Sequence, residues 1–80
     1  MGNRPMKKRT ARLVEKIISI LEEEGRPLAP GPIAHRIDTE TNMRCSVYRV
    51  GTALRPLVTR GEIKKTKIEG THKYTYSLNN

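Results

Sequence analysis

The stretch from Ser46 to Gly61 most constrains how this 80-residue chain can fold. Its apolar residues recur every three or four positions, the spacing that lines one face of a helix. They are Val47, Val50, Leu54, Leu57 and Val58. Ser46 is suited to cap the first turn, because its hydroxyl can accept a hydrogen bond from a free backbone N–H. Gly61 adopts the left-handed conformation that ends helices at little cost, so the pattern predicts a helix between these two residues.

The opposite face of this predicted helix carries hydroxyl, phenol and guanidinium groups and lacks carboxylates. At about 100° per residue, these side chains fall away from the apolar stripe, with Arg49 at its flank. They are Tyr48, Thr52, Arg55 and Thr59. A helix that meets only water usually mixes both signs of charge, so we expect this face to contact a nucleic acid.

Two residues inside the predicted helix weaken it. Pro56 removes one backbone hydrogen bond and should bend the helix. Gly51 costs roughly 1 kcal/mol relative to alanine. We therefore expect the helix to kink between Thr52 and Arg55 or to be shorter than its apolar pattern.

The net charge of +8 is distributed unevenly along the chain. Residues 1–12 contain five basic residues and no acid, and residues 13–43 contain three basic and six acidic residues. Residues 44–80 contain eight basic and two acidic residues. This segregation is typical of a protein that presents one face to phosphates. A solvated basic surface without a partner is the alternative interpretation.

Size and composition limit the remaining possibilities. A chain of 80 residues forms one domain with a modest core. Its apolar runs are far shorter than the roughly 20 residues that cross a bilayer, and no apolar segment follows the basic N-terminus as in a signal peptide. With Cys45 as the single cysteine, a cytoplasmic or nucleoid-associated location is expected. One cysteine and two separated histidines, His35 and His72, fall short of a zinc site.

Residues 1–9 lack hydrophobic periodicity and are predicted to form a basic arm. The cations of this arm are Arg4, Lys7, Lys8 and Arg9. Such an arm either adds affinity by contacting phosphates or is only a solubilising tail.

Two other helices are predicted before residue 46. Thr10 is suited to be the N-cap of the first helix, which carries one apolar stripe and is predicted to end at Gly25. The prolines and the glycine in residues 26–32 predict a turn. A short second helix follows over residues 32–38, with Arg36 turned outward and with Ile33, Ala34 and Ile37 buried. A polar connection then leads into the third helix.

The residues after the third helix alternate as strands do. Residues 62–68 and 73–78 are predicted to form a hairpin around the glycine-containing turn at 69–72. Two tyrosines and Leu78 share one face, where we interpret the rings as core cover rather than as platforms for stacked bases. The outer side of the hairpin is expected to carry Lys65, Lys67 and Lys73.

The order of three helices and a basic hairpin resembles the winged helix-turn-helix family over residues 10–78. PLAPGPIAHRI looks like the second helix of that family, and SVYRVGTALRPLVTRGEI is similar to its recognition helix running into a strand. KYTYSL resembles the returning strand of the wing. The resemblance implies an α+β fold, in which a three-helix bundle precedes a two-stranded antiparallel hairpin, with residues 79–80 as a tail. Pro56 and the long connection before Ser46 depart from the family pattern.

The resemblance also implies a set of contacts with double-stranded DNA. The third helix enters the major groove and the wing touches the adjoining backbone. By position, the helix contributes Ser46, Tyr48, Arg49, Thr52 and Arg55. The wing and its flank contribute Arg44, Lys64, Lys65, Lys67, His72 and Lys73. The arm contributes Arg4, Lys7, Lys8 and Arg9.

The sequence thus predicts sequence-specific binding of double-stranded DNA by a small transcriptional regulator, acting alone or as a homodimer. Two alternatives stay open: a basic RNA- or ribosome-associated protein, and a winged helix that contacts another protein. We expect no catalytic activity, cofactor or small-molecule ligand. The chain lacks a Ser/His/Asp set, paired acids, a phosphate-binding loop and a metal cluster.

Overall fold

The computed structural model describes residues 8–79, which form three helices and a two-stranded antiparallel sheet. The elements are α1 (Lys8–Glu24), α2 (Pro30–Glu40), α3 (Val47–Arg60), β1 (Ile63–Lys67) and β2 (Tyr74–Leu78). This order confirms the predicted α+β class and is compatible with a winged-helix fold. We call the hairpin of β1 and β2 the wing.

The first helix begins earlier than the sequence pattern predicts. Thr10 lies inside α1, so the prediction that it caps the helix is wrong. Lys8 and Arg9 also belong to α1 rather than to a separate arm. The other cations of the predicted arm, Arg4 and Lys7, lie outside the described residues.

The second helix is longer than predicted, with 11 residues that begin at Pro30. A proline fits the first turn because its missing N–H would have no partner within the helix. Arg36 does not simply face outward, since its side chain is only 25% exposed and is held by carboxylates of α1 and α2.

The ends of the third helix lie where the sequence predicts them. The Ser46 hydroxyl accepts a hydrogen bond from the Arg49 N–H at 3.2 Å. Gly61 ends the helix in the left-handed conformation, with φ of 82°. Between these caps α3 is one continuous helix of 14 residues across Pro56, so the expected shortening is absent.

All five elements contribute to one hydrophobic core. Its fully buried side chains are Ile17, Ile20, Ile33, Ile37, Val50, Leu54 and Ile63. Leu57 and Tyr76 are also buried, and Val58 packs partly against this cluster. Val47 is an exception to the predicted stripe, because it is 47% exposed at the start of α3. The first turn of α3 therefore extends beyond the core.

The register of the wing corrects one prediction about its lysines. Lys65 lies opposite Tyr76, and Lys67 lies opposite Tyr74. Directly opposed residues point to the same face of an antiparallel pair. Lys65 and Lys67 therefore share the face of the two tyrosines, and the prediction that they lie on the outer face is wrong. Lys64 points to that outer face instead.

An isolated bridge attaches the chain before α2 to the wing. The Leu28 N–H donates to the Tyr76 carbonyl at 2.9 Å, and the Tyr76 N–H donates to the Leu28 carbonyl at 2.7 Å. In this antiparallel arrangement residue 30 would lie opposite Tyr74, but Pro30 has no N–H and starts α2. The pairing therefore ends after one bridge, where the sequence indicates only a turn.

An ion-pair network joins α1 to α2. Glu40 accepts hydrogen bonds from Arg36 Nε at 2.6 Å and from Lys16 Nζ at 2.9 Å. Arg36 also donates to Glu23 at 2.7 Å. The hydrogen bond from Arg36, followed by that from Lys16, lowers the pKa of Glu40 to about 2.

This network predicts a loss of stability in acid. Because the folded-state pKa of Glu40 is depressed, its contribution is present above the ordinary carboxyl pKa of 4.5 and is lost as the pH falls toward 2. Glu40→Gln should flatten the dependence of the melting temperature on pH in this window. Glu69→Gln is the control, because Glu69 forms no ion pair within residues 8–79. Parallel profiles for Glu40→Gln and the unmodified chain would contradict this assignment.

The uninterrupted α3 predicts that Pro56→Ala stabilises the domain. Alanine restores an N–H that can donate to the Thr52 carbonyl, and the exposed proline ring contributes little packing. We expect a gain of about 1–3 kcal/mol in the free energy of unfolding, measured in urea. Pro32→Ala, in the first turn of α2, should give no such gain. A lower urea midpoint for Pro56→Ala would show that the proline is required for the shape of α3.

Candidate nucleic-acid interface

The outward face of α3 is an exposed ridge without carboxylates. Tyr48 is 81% exposed, and Thr52 and Arg55 are exposed beside it. Their spacing of i, i+4 and i+7 aligns them along one side of the helix. Thr52 donates its hydroxyl proton to the Tyr48 carbonyl at 3.0 Å, so its methyl group and oxygen lone pairs remain for a ligand. We call this row of side chains the α3 ridge.

The first turn of α1 lies along one side of the α3 ridge. A concave surface of about 300 Å³ is lined by Arg9 and Thr10 of α1 together with Arg49 and Thr52 of α3. Arg9, predicted as part of an arm, is therefore held beside Arg49 on a helix. The sequence did not reveal this placement, because Thr10 resembled a cap and because contacts between helices leave no local signal.

The wing lies along the other side of the α3 ridge. The groove between them has a volume of about 690 Å³, and it is lined by Tyr48, Thr52 and Arg55 on one wall and by Lys65 and Tyr74 on the other. Lys65 Nζ lies 4.1 Å from the centre of the Tyr74 ring. This cation–π contact holds the ammonium group on the groove side of the wing. None of the carboxylates in the described part of the chain lines the groove.

A third concave surface, of about 570 Å³, surrounds the N-terminus of α3. Arg44, Ser46 and Arg49 line it together with Asp38 and Cys45. The Asp38 carboxylate accepts a hydrogen bond from the Cys45 N–H at 2.7 Å, which fixes the connection from α2. Burial, and to a lesser extent Asp38, raises the pKa of the Cys45 thiol, so this cysteine is not activated as a nucleophile.

The predicted wing residues do not form one cluster. Lys64 and Lys65 point to opposite faces of β1, and only Lys65 lines the groove beside α3. Lys73 lies near the start of α2. Lys67 and His72 are exposed toward the end of the hairpin. Of the predicted wing cations, Lys65 is therefore the one that the fold brings to the α3 ridge.

The cations beside the α3 ridge are not neutralised within the described chain. Ion pairs among residues 8–79 involve Lys16, Arg26, Arg36 and Arg60. Arg49, Arg55 and Lys65 take part in none of them. The described part of the chain also contains no group of three His, Cys, Asp or Glu side chains that could hold a metal ion.

Comparison with protein-family models, curated proteins and solved structures gives no significant match for this chain. Functional assignment therefore depends on the geometry of the chain itself. Within residues 8–79, no helix has both the length and the apolar character needed to cross a membrane.

The contact between α3 and the wing can be tested at Gly51. A methyl group there would lie 3.6 Å from Tyr76 Oη and 3.8 Å from Tyr74 Oη, which are ordinary contact distances. Gly51→Ala should therefore raise the free energy of unfolding by up to about 1 kcal/mol, through helix propensity, without moving the wing. Urea denaturation and the NMR shifts of Lys65 and Tyr74 measure the two effects.

Gly31→Ala is the matched control for this substitution, because a methyl group at Gly31 would meet open space. A loss of stability in Gly51→Ala alone would show that α3 and the wing are packed too tightly for the added methyl.

Proposed function

We propose that the domain binds double-stranded DNA by placing the α3 ridge in the major groove. The observation that carries this proposal is the exposed, carboxylate-free ridge of α3, flanked by cations of α1 and the wing that form no ion pair within residues 8–79. A surface helix that serves only as a scaffold needs neither the arginines nor the two basic flanks.

The dimensions of the ridge suit the major groove. That groove is about 12 Å wide and admits one α-helix. The eight positions from Tyr48 to Arg55 are separated by seven helical steps and extend about 10 Å along the helix axis, close to three base-pair steps. Arg55 can donate two hydrogen bonds to guanine, and the Thr52 methyl can contact a thymine methyl.

The flanking cations suit the two phosphate backbones that border the groove. Arg9 and Arg49 lie on the α1 side of the ridge, and Lys65 lies on the wing side. Contacts to phosphate give affinity and orientation, whereas contacts to base edges give sequence preference. In this proposal the chain is a small transcriptional regulator that binds alone or as a homodimer.

Fluorescence anisotropy with a labelled random DNA duplex of 20 base pairs tests the proposal. With the three phosphate contacts of Arg9, Arg49 and Lys65, raising the salt from 50 to 200 mM should weaken binding about 40-fold. Arg49→Ala and Arg55→Ala should each weaken binding about tenfold at the lower salt. Arg26→Ala removes the same charge from outside α3, where Arg26 already pairs with Glu24, and should change affinity less than about twofold.

The competing functions are distinguished by the same assay. Equal losses for Arg26→Ala and Arg55→Ala would mean that only net charge matters, and the α3 ridge would not be the binding surface. Tighter binding to an RNA stem-loop than to the duplex would favour an RNA-associated protein. Absence of binding to both nucleic acids would favour a protein-contact domain.

A further inference from the structure

A further concave surface opens where the chain leaves the wing, and it shares Val47 and Tyr74 with the groove beside the α3 ridge. After the bridge between Leu28 and Tyr76, the chain diverges from β2 and enters α2 at Pro30. The resulting gap, of about 370 Å³, is lined by Pro30, Pro32, Val47, Ile68, Lys73 and Tyr74. We call this gap the wedge groove.

The wedge groove gathers exposed apolar side chains that come from distant parts of the sequence. Among the described residues, the large hydrophobic side chains that are exposed are Val47, Tyr48 and Ile68. Val47 at 47% and Ile68 at 41% exposure both line this groove, together with Pro30 and Pro32. Single exposed apolar residues are common, but a group that shares one concave surface is typical of a contact site.

The edge of β2 that borders the groove has unused backbone groups. Tyr76 directs its N–H and carbonyl toward Leu28, away from β1. Because this orientation repeats every two residues along a strand, Tyr74 directs its N–H and carbonyl to the same edge. Within residues 8–79, no backbone hydrogen bond joins Tyr74 to residues 29–32. This edge can therefore pair with an added strand.

The charge around the groove selects the kind of segment that can enter. Lys73 lines the groove, and among residues 8–79 no carboxylate does. The half of the chain that contains the wing, residues 44–80, has eight basic and two acidic residues. A second copy of this chain, with a net charge of +8, would be repelled. Charge complementarity therefore favours an acidic occupant.

We propose that the wedge groove binds an acidic, extended segment of another protein. The segment pairs with the free edge of β2 at Tyr74 and inserts one apolar side chain between Val47 and Ile68. Its carboxylates lie near Lys73. Backbone pairing supplies affinity in this mode of recognition, and the apolar side chain and the charges supply selectivity. The inference does not depend on DNA binding.

The test is an NMR titration of the ¹⁵N-labelled chain with a designed peptide. The probe is an acetylated and amidated nonapeptide in which valine alternates with glutamate. We expect shift changes that centre on Val47, Ile68, Lys73 and Tyr74. A peptide with lysine in place of glutamate should bind about tenfold more weakly or not at all, because it loses the attraction to Lys73. A peptide with serine in place of valine should lose as much affinity, because it has no apolar side chain to insert between Val47 and Ile68.

One double variant, one single variant and a matched control make the test specific. Val47→Thr with Ile68→Thr keeps both side chains β-branched but reduces their apolar surface, and should weaken peptide binding about tenfold. Lys73→Gln should weaken it about threefold, whereas Lys64→Gln, on the outer face of β1, should have no effect. Thermal melts establish that each variant is folded, which is expected because all four side chains are exposed.

Three outcomes would overturn the proposal. One is absence of binding by the acidic peptide, and another is shift changes that centre away from the wedge groove. The third is a loss of duplex DNA affinity in Val47→Thr with Ile68→Thr as large as the loss of peptide affinity. That result would assign the groove to the nucleic-acid surface. A chain that binds the peptide but no DNA would leave this inference intact and remove the proposed function.

Discussion

The position of the wing depends on Tyr76, which joins three parts of the structure at once. Its backbone forms both hydrogen bonds of the bridge to Leu28, and its side chain is 2% exposed in the core. Its ring meets that of Tyr74 edge to face, with centres 5.4 Å apart. Burial, followed by the hydroxyl of Tyr74, raises the pKa of Tyr76 to about 12. The hydroxyls of Tyr74 and Tyr76 lie on the side of the wing that faces Gly51, with room for one methyl group between them and α3. The two rings therefore form the wall of the wing that borders the groove beside the α3 ridge.

The acidic residues lie mainly on α1 and α2, away from the groove between α3 and the wing. Glu23 and Glu40 engage Arg36 and Lys16 across the contact between α1 and α2. These partly exposed pairs add little net stability at neutral pH. Their larger effect is on the surface, because carboxylates concentrate on α1 and α2 while α3 contains none. The arginines of α3 thus keep their charge available for a partner.

The parts of the fold with local signals were predictable from the sequence. Ser46 and Gly61 act through their own side chain and backbone, so the bounds of α3 follow from residue type, and strict alternation predicted the tyrosine face of β2. Features that depend on partners distant in sequence were missed, including the bridge at Leu28 and the place of Lys65 on the tyrosine face. Val47 fits the helical period, yet it is exposed beyond the edge of the core. Periodicity predicts which face of a helix a side chain lies on, but not whether the core extends far enough to bury it. For the candidate site, residue types alone predicted the exposed face of α3. The position of Arg9 beside Arg49 could not be predicted in this way, because it depends on how α1 packs against α3.

The concentration of carboxylates in residues 13–43, against the basic charge of residues 44–80, also gives the domain an electric dipole. In the field of a polyanion such as the proposed DNA, this dipole experiences a torque before any contact is made. The basic side therefore turns toward the polyanion while the acidic side of α1 and α2 turns away. A larger fraction of encounters then begins in a productive orientation, and the association rate constant rises above that of a uniformly charged domain of equal net charge. In the proposed complex with DNA, the carboxylates of α1 and α2 thereby orient the domain during its approach without contacting the DNA.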